Sequence, residues 1–483
     1  MEILNRALLQ ISTDYLGGIP VDRITTVVAV LLSYVLAHVF RRLPSTSNGA
    51  YKHVFSIAGS IVLFGLVQEQ YWGLVHLLCG ALVAFALMTI LRGKAMVLSV
   101  FVTAMLHMSY SQIKRQLKET ALEEGMQVAF DHTGAQMVFV IKVTSLAWCI
   151  YDGGQERRTE YQRKNAIEQM PSLLEYLGYV FFFPGLAVGP AFELATYRRM
   201  VALDDLRVKR TQSRRAYAKL LEGVLWMAVY VLYGSQYTMS YMATERFAYT
   251  HRRFISRAIY MCIAGVITRA AYYTAWKMSE GACILTGLGF EGVDERGHAQ
   301  WMDISNVHIR GVELGSSLKQ LIDSWNIGTN TWLRHHVYLR IIEHTGGSKS
   351  TSMAAVVTFL VSAWWHGFYP GYYLTFVLGA VASNTARTLR RNLNALVALA
   401  PEDENNQRKK TIKQAYDAAG WVLSKYTLDF TVVPFMALSL STSLRAWRAQ
   451  YFVVLLAVLG IHVAFNVIGV GRCIRSHAHV KQT

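Results

Sequence analysis

The chain alternates between apolar runs and short polar or basic segments along its whole length. A helix needs about 20 mostly apolar residues to cross a hydrocarbon core of about 30 Å. The pattern therefore predicts one integral-membrane domain over residues 1–483, an all-α polytopic protein with about eleven transmembrane or re-entrant helices. The predicted segments are 24–40, 53–68, 71–91, 95–110, 133–151, 173–190, 220–243, 255–277, 352–366, 371–386, 421–443 and 449–470.

Proline and glycine interrupt two of these segments, at Pro184-Gly185 and at Pro370-Gly371. A membrane tolerates such a break only where the freed backbone groups face protein or water. One helix over residues 352–386 would be about 52 Å long at 1.5 Å per residue, which is well beyond the bilayer core. We therefore expect a break at Pro370-Gly371, which places His366 within about one turn of a helix end.

The composition supports a membrane protein and excludes several other classes. Hydrophobic residues make up 53% of the chain and charged residues only 16%, whereas about a quarter of an average soluble domain is charged. The formal net charge is +17. No nucleic-acid-binding motif accompanies this charge, so we expect basic loops that orient the helices and contact anionic lipid. The five cysteines are scattered without a Cys-x-x-Cys spacing, which predicts no metal site.

Two basic features have alternative interpretations. Lys142 lies in the middle of an apolar run, where an unpaired charge costs at least about 2.5 kcal/mol. It either forms a structural ion pair with a carboxylate or provides a positive wall for an anionic substrate. The strongly basic stretch 196–219 is either a positively charged loop on one side of the membrane or a docking surface for an acidic substrate.

The third ionisable feature is His366, which closes an apolar run and is surrounded by tryptophan and tyrosine. An interfacial belt of aromatic residues that happens to include a histidine would look the same. A histidine, with a reference pKa of about 6.5, is mostly neutral near pH 7 and suits the role of base.

The segment around His366 contains a set of motifs: Ser324-Trp325-Asn326, Thr329-Asn330, Trp332-Leu333-Arg334, Val337-Tyr338-Leu339-Arg340, Ser362-Ala363-Trp364-Trp365-His366-Gly367 and Tyr369-Pro370-Gly371-Tyr372-Tyr373. With these motifs, the segment resembles the membrane-bound O-acyltransferase family, and specifically its lysophospholipid acyltransferase branch. The similarity extends over about residues 130–380, and the pattern H-G-x-Y-P-G-Y-Y that begins at the histidine points to this branch. Acyl transfer from a thioester to an alcohol requires a base, a donor for the developing oxyanion and a site that excludes water.

The resemblance implies a ring of tilted helices around a buried chamber, in the endoplasmic reticulum membrane. It implies that His366 takes the proton from the free hydroxyl of a lysophospholipid, which then attacks acyl-CoA. Asn326 would be the second catalytic residue and would either orient the hydroxyl or hold the thioester carbonyl. No metal and no tightly bound cofactor are expected. The expected substrate-binding residues are Lys142, Trp325, Thr329, Asn330, Trp332, Arg334, Tyr338, Arg340, Ser362, Trp365 and Tyr369, of which Arg334 and Arg340 are assigned to the CoA phosphates.

Two other functions stay open on the sequence alone. A secondary transporter also has broken helices and intramembrane charges, although its interruptions should fall in two related halves. A protein O-acyltransferase would belong to the same family. The sequence leaves the headgroup, the acyl chain and the oligomeric state undetermined.

Overall fold

The computed structural model describes residues 10, 12–14, 21–45, 48–120, 131–203, 209–296, 298–345, 351–397, 406–466 and 468–470. The chain forms two compact units whose segments alternate along the sequence. The first unit comprises Met1–Leu232, Ala270–Val307 and Asn326–Arg340, and the second comprises Tyr233–Arg269, His308–Trp325 and Ile341–Thr483. The prediction of one domain over the whole chain stays a prediction.

The first unit is built from helices and one small hairpin. The two strands, Phe290–Val293 and Ala299–Trp301, pair antiparallel with Phe290 opposite Trp301 and Val293 opposite Ala299, and the register shifts between Phe290 and Gly292. The α-helices are Val21–Phe40, Ala50–Ser60, Tyr71–Ile90, Gly93–Thr120, Thr133–Gly153, Glu160–Asn165, Leu173–Val180, Leu194–Val201, Lys209–Tyr233 and Ile327–Leu333, with π-helical turns at Ile61–Val67 and Arg334–Tyr338.

Within the described residues, the second unit contains helices joined by short irregular segments and no strand. The long helix Phe254–Leu285 begins in this unit, and the boundary with the first unit falls within it. The other helices are Ser240–Ala243 (3-10), Glu245–Thr250, Ile309–Leu314, Leu318–Asp323, Leu339–Thr345, Thr351–His366, Pro370–Val397, Gln407–Ala437, Leu440–Ala449 and Val453–Asn466.

Several of these helices begin at a side chain that binds the free backbone N–H groups of the first turn. Thr159 and Gln162 form a reciprocal capping box at the start of Glu160–Asn165. Ser172 accepts a hydrogen bond from the Glu175 amide, and Asn406 accepts one from the Lys409 amide. Helix boundaries in the polar segments are therefore encoded locally.

The apolar runs are confirmed as helices, but the count of about eleven spans is not. Within the described residues, seven helices are long and apolar enough to cross a membrane, or eight if one bent pair counts as a span. The seven are Val21–Phe40, Ala50–Val67, Tyr71–Ile90, Gly93–Glu119, Thr133–Gly153, Gln212–Tyr233 and Phe254–Leu285.

Apart from the predicted span 173–190, where the helix ends at Val180, the difference lies in the C-terminal third. The predicted span 352–366 is the short apolar helix Met353–His366. The predicted span 371–386 is part of the longer helix Pro370–Val397, and the predicted span 421–443 runs from the helix Gln407–Ala437 into Leu440–Ala449. Both long helices also contain charged turns. The predicted span 449–470 is one half of a pair of helices, Leu440–Ala449 and Val453–Phe465, bent by 83°.

The predicted interruption at Pro184-Gly185 is confirmed. The helix Leu173–Val180 ends before it, and residues 181–193 are irregular. Serine side chains satisfy the freed carbonyl groups: Ser60 donates to the Phe181 carbonyl at 2.7 Å and Ser279 donates to the Pro184 carbonyl at 2.6 Å. Irregular backbone is thus buried in protein with its polar groups paired, as a membrane setting requires.

The core of each unit is rich in aromatic side chains. In the first unit, the buried ring of Phe182 packs edge-on against Phe40, Phe192 and Tyr197, with centroids 5.4–6.2 Å apart. In the second unit, Trp447 stacks on Phe430 at 5.3 Å and donates from its indole N–H to the Phe430 carbonyl. Offset and edge-to-face pairs of this kind add to the stabilisation from burial alone.

The basic stretch 196–219 is more ordered than either interpretation assumed. It contains the end of helix Leu194–Val201 and the start of helix Lys209–Tyr233, whereas Asp204, Asp205 and Arg207 lie outside the described residues. Arg198 forms an ion pair with Glu175 at 2.6 Å. Arg214 and Arg215 are exposed on the second helix. The prediction of a loop is therefore wrong for most of this stretch, in which basic side chains are interleaved with apolar ones at helical spacing.

Candidate active site

His366 is the last residue of the helix Thr351–His366 in the second unit, as the sequence predicted. The break lies earlier than expected, at residues 367–369, because Gly367 adopts a φ of +129° that an L side chain rarely takes. Pro370 does not end a helix here but opens the next one, Pro370–Val397. Its fixed φ and missing N–H suit the first helical position.

Aromatic rings surround the His366 imidazole. Trp365 lies 4.7 Å away by ring centroids, Phe376 stacks at 5.1 Å, Tyr372 lies at 5.8 Å and Phe435 stands edge-on at 4.9 Å. None of the residues that the structure describes hydrogen-bonds to the imidazole nitrogens. Among the described residues, the ring is therefore held by packing, and its nitrogens have no hydrogen-bond partner there. The sequence did not indicate Phe435, which comes from the distant helix Gln407–Ala437.

The glycine and tyrosines after His366 have identifiable packing roles. A Cβ on Gly371 would collide with the Pro434 carbonyl, and the Gly371 amide donates to the Leu438 carbonyl at 2.8 Å. This close approach holds the end of the helix Gln407–Ala437, and with it Phe435, near the imidazole. Tyr369 packs edge-on against Tyr372 at 5.9 Å.

The other predicted site residues of the second unit lie close to His366 in sequence or in the polar loop. Ser362 and Trp365 are buried, Ser362 one turn before His366 on the same helix. Trp325 is partly buried, and its amide donates to the Ile322 carbonyl at 3.2 Å. The structure thus gathers Ser362, Trp365, His366 and Tyr369 around one helix end.

Asn326 belongs to the first unit and lies at the N-terminus of the helix Ile327–Leu333. Its backbone is in the left-handed region, with φ +44° and ψ +54°, a conformation that asparagine tolerates better than most residues. The Thr329 hydroxyl donates to the Asn326 Oδ1 at 2.9 Å. No described residue accepts a hydrogen bond from the Asn326 Nδ2, so this side-chain N–H₂ group is available as a donor.

The remaining predicted residues on this helix differ in orientation. Trp332 is buried, and its indole N–H donates to the Thr144 hydroxyl at 2.9 Å, which fixes the helix to Thr133–Gly153. Asn330 is partly buried, and its backbone N–H donates to the backbone carbonyl of Asn326 at 2.9 Å. Trp332 therefore has a structural role, because it attaches the helix Ile327–Leu333 to the helix Thr133–Gly153.

The π-helical turn Arg334–Tyr338 follows directly and presents Arg334, which is exposed. Tyr338, the last residue of the turn, is partly buried. A buried cluster that the sequence analysis missed holds this turn: the Glu193 Oε1 accepts from the Tyr161 hydroxyl at 2.8 Å and contacts the His336 Nε2 at 3.3 Å. The His335 ring stacks on Tyr161 at 3.7 Å.

The charge states of this cluster follow from its surroundings. Burial alone would raise the pKa of the Glu193 carboxyl, but the hydrogen bonds from His336 and Tyr161 lower it below its usual range. Burial lowers the pKa of His335 to about 4, so this imidazole is neutral at physiological pH. The cluster therefore anchors the turn with one buried carboxylate and leaves Arg334 as its exposed cation.

Arg340 is engaged by residues of the first unit. Its guanidinium forms a buried, two-pronged ion pair with Asp152, with an Nη1 to Oδ1 distance of 2.8 Å, and lies 4.1 Å above the Trp148 ring. Breaking such a pair leaves an uncompensated buried charge, which costs about 3–5 kcal/mol. We therefore assign Arg340 to the architecture of the first unit and not to CoA binding.

Lys142 corrects the expectation of a carboxylate partner. Its side chain is buried, and Nζ donates to the Tyr179 carbonyl at 2.8 Å and lies 4.5 Å from the Phe192 ring centroid. Within the described residues it has no ion pair. The Tyr179 carbonyl is one of the last in the helix Leu173–Val180, so the ammonium caps the negative end of that helix. This role accounts for a buried lysine without a substrate.

We expect Lys142→Met to remain active within about a factor of two but to be less stable by about 1–3 kcal/mol, because the Tyr179 carbonyl loses its donor. Thermal unfolding in detergent and activity would be measured on the same samples. Lys52→Met is the matched comparison and should be destabilised more, since the buried Lys52 binds Ser45, Val201 and Leu203. Lost activity with unchanged stability would restore the hypothesis that Lys142 lines a substrate path.

Comparison with known proteins identifies the family. The profile of the membrane-bound O-acyltransferase family matches residues 74–399. A Schizosaccharomyces pombe protein named lysophospholipid acyltransferase is 31% identical over 474 residues, which are 95% of this chain and 90% of that protein.

Two further relatives extend over nearly the same part of the chain. A lysophospholipid acyltransferase of Saccharomyces cerevisiae is 31% identical over 93% of this chain and 75% of its own length. Human membrane-bound glycerophospholipid O-acyltransferase 2 is 30% identical over 92% of this chain and 84% of its own length. With its apolar helices, the chain is therefore a multi-pass membrane protein that belongs to the membrane-bound O-acyltransferase family.

Proposed function

We propose that this protein transfers a fatty acyl group from acyl-CoA to the free hydroxyl of a lysophospholipid, which yields a diacyl phospholipid and CoA. The observation that carries the proposal is the His366 imidazole, packed among aromatic rings at a helix end with its nitrogens unbound by any described residue. The names of the yeast relatives support the acceptor class. The acyl-CoA donor and a role in phospholipid remodelling rest on the resemblance.

In the proposed reaction, His366 takes the proton from the acceptor hydroxyl as the oxygen attacks the thioester carbonyl. The carbonyl becomes a tetrahedral oxyanion, the carbon–sulfur bond then breaks, and the CoA thiolate takes the proton from the imidazolium. An imidazole without a fixed polar partner can accept and return this proton. Aromatic packing keeps water from competing as the acceptor. We propose no covalent acyl-enzyme, metal or tightly bound cofactor.

The hydrogen bond from Thr329 bears on the role of Asn326, which the sequence left open between two possibilities. Because the Asn326 Oδ1 accepts from Thr329, the group left for a substrate is the Nδ2 donor. A donor suits the thioester carbonyl, which gains negative charge in the transition state, better than it suits the orientation of a hydroxyl for deprotonation. We therefore propose that Asn326 stabilises the oxyanion.

Arg334 is the residue that we assign to the phosphates of CoA. It is exposed, it follows the Asn326 helix directly, and the Tyr161–Glu193–His336 cluster fixes the turn that carries it. A guanidinium binds phosphate oxygens through two parallel hydrogen bonds. We place the enzyme in the endoplasmic reticulum membrane by analogy with its family, with the lysophospholipid entering from the bilayer.

The direct test incubates membranes that contain the protein with labelled acyl-CoA and a panel of lysophospholipids with choline, ethanolamine, serine and phosphate headgroups. We expect a labelled diacyl product with at least one headgroup and none with His366→Ala membranes. Label recovered on protein would instead indicate a protein O-acyltransferase. Absence of a diacyl product across the panel, from protein that is present and folded, would refute the proposal.

A further inference from the structure

Asn306 contacts the beginning of the Asn326 helix through both its backbone and its side chain. Its carbonyl accepts from the Ile327 amide at 2.9 Å, and its Oδ1 accepts from the Gly328 amide at 3.1 Å. Asn306 is buried, with 6% of its surface exposed. One residue, twenty positions upstream of Asn326, therefore satisfies two free N–H groups of the helix Ile327–Leu333.

Because of this arrangement, Asn326 does not cap the helix Ile327–Leu333 with its side chain, although it lies in the capping position. An asparagine immediately before a helix usually accepts a hydrogen bond from the second or third helical amide. Gly328 is the second residue of this helix, and Asn306 already binds its amide. Asn326 makes no such capping bond, and its backbone is left-handed instead of extended. Its Oδ1 accepts from the Thr329 hydroxyl instead of a helix amide, and its side-chain N–H₂ group is bound by no described residue.

The segment that carries Asn306 is itself anchored in the first unit. The neighbouring Ser305 donates from its hydroxyl to the Glu280 carboxylate at 2.6 Å. Glu280 is buried and also binds Lys277 at 2.9 Å and Lys219 at 3.1 Å. A buried carboxylate with three partners defines one geometry for the chain that passes it. The contacts of Ser305 therefore fix the position of the neighbouring Asn306.

We propose that Asn306 is a positioning residue, which caps the helix Ile327–Leu333 in place of Asn326 and so keeps the Asn326 amide available to the reacting acyl group. The inference rests on the proposed function in assigning a reaction to Asn326. If the Asn306 side chain is removed, the Gly328 amide lacks an acceptor, and Asn326 is the residue placed to supply one. The Asn326 side chain would then rotate away from the substrate and accept a hydrogen bond from the Gly328 backbone amide.

The test compares Asn306→Ala, which removes the acceptor, with Asn306→Asp, which keeps one in the same place. Asn406→Ala is the matched control, because Asn406 caps the exposed first turn of the helix Gln407–Ala437 by a side-chain bond to a helix amide, that of Lys409. For each purified variant, kcat and KM would be measured for oleoyl-CoA and a lysophospholipid that wild type accepts. Amide hydrogen exchange would be followed over residues 326–333.

We expect Asn306→Ala to lower kcat about 10–100-fold with both KM values within about twofold, since a misplacement of about 1 Å can cost 10²-fold. Asn306→Asp should recover most of the rate, and Asn406→Ala should resemble wild type. In the background Asn326→Gly, the Asn306→Ala change should cause no further loss, because the two residues act through one group. Exchange over residues 326–333 should accelerate in Asn306→Ala.

Three results would overturn the inference: a kcat for Asn306→Ala within twofold of wild type, a further loss of rate in the Asn326→Gly background, or unchanged exchange over residues 326–333. The hydrogen-exchange measurement does not require catalytic activity. It therefore tests whether Asn306 caps the helix even if the wild-type protein forms no diacyl product. A wild type without activity would refute the proposed function, and accelerated exchange would then still support Asn306 as the cap.

Discussion

Replacement of His366 by alanine is expected to lower kcat by about 10²–10⁴-fold, the usual loss when a general base is removed. Expression and membrane insertion should be nearly unchanged, because the imidazole has no hydrogen bond to any described residue and only ring contacts hold it. His366→Gln, which keeps more of the side-chain volume, should be as inactive as the alanine variant. The measurement is the rate of diacyl product formation by purified protein.

The control for this prediction is the same substitution at an exposed position. His344 lies in the last turn of the helix Leu339–Thr345 and is exposed, so His344→Ala should keep the wild-type rate. All three variants would be compared by thermal unfolding, so that misfolding is recognised. A folded His366→Ala protein with more than about a tenth of the wild-type rate would contradict the assignment of His366 as the base.

Loss of the Asn326 amide should have the second largest effect. Removal of one oxyanion donor typically lowers kcat about 10²–10³-fold, and a group that acts mainly in the transition state changes kcat more than KM. Asn326→Ala also carries backbone strain, because alanine at φ +44° is disfavoured by about 1–2 kcal/mol. Asn326→Gly removes the amide without this strain and is therefore the cleaner variant.

Asn326→Asp distinguishes the two roles that the sequence left open. The aspartate keeps an acceptor for Thr329 but has no N–H₂ group, so it should be as slow as the glycine variant if the amide donates to the oxyanion. An aspartate variant with near wild-type kcat would show that Oδ1 is the functional atom. A normal kcat with a raised KM in Asn326→Gly would reduce Asn326 to a substrate-positioning residue.

The sequence predicted the features that depend on local pattern. The apolar runs became helices, the interruption at Pro184-Gly185 became irregular backbone, and His366 lies at a helix end. Each of these follows from hydrophobic length or from backbone restrictions of proline and glycine, which act within one turn. The count of about eleven spans is not confirmed within the described residues, because hydropathy reports neither a bend nor a charged extension of the same helix.

The sequence could not show contacts between distant segments. Phe435 packs on His366 from 69 positions downstream, and Asn306 binds the Asn326 helix from 20 positions upstream. Neither residue type is unusual for its segment. Lys142 illustrates the same limit: a buried cation demands a polar partner, but a carbonyl at a helix end meets that demand as well as a carboxylate, and only the fold shows which is near.

The close approach at Gly371 has a consequence for how much of the chain a functional fragment must contain. The family profile ends at residue 399, yet Gly371 within it packs against the Pro434 carbonyl, and the helix beyond that end contributes Phe435 to the packing around His366. The stacking of Trp447 on Phe430 stabilises the helix Gln407–Ala437, which carries Phe435. A boundary drawn at the end of the family profile would remove side chains that pack around the His366 ring, so the smallest self-sufficient fragment extends at least to residue 447.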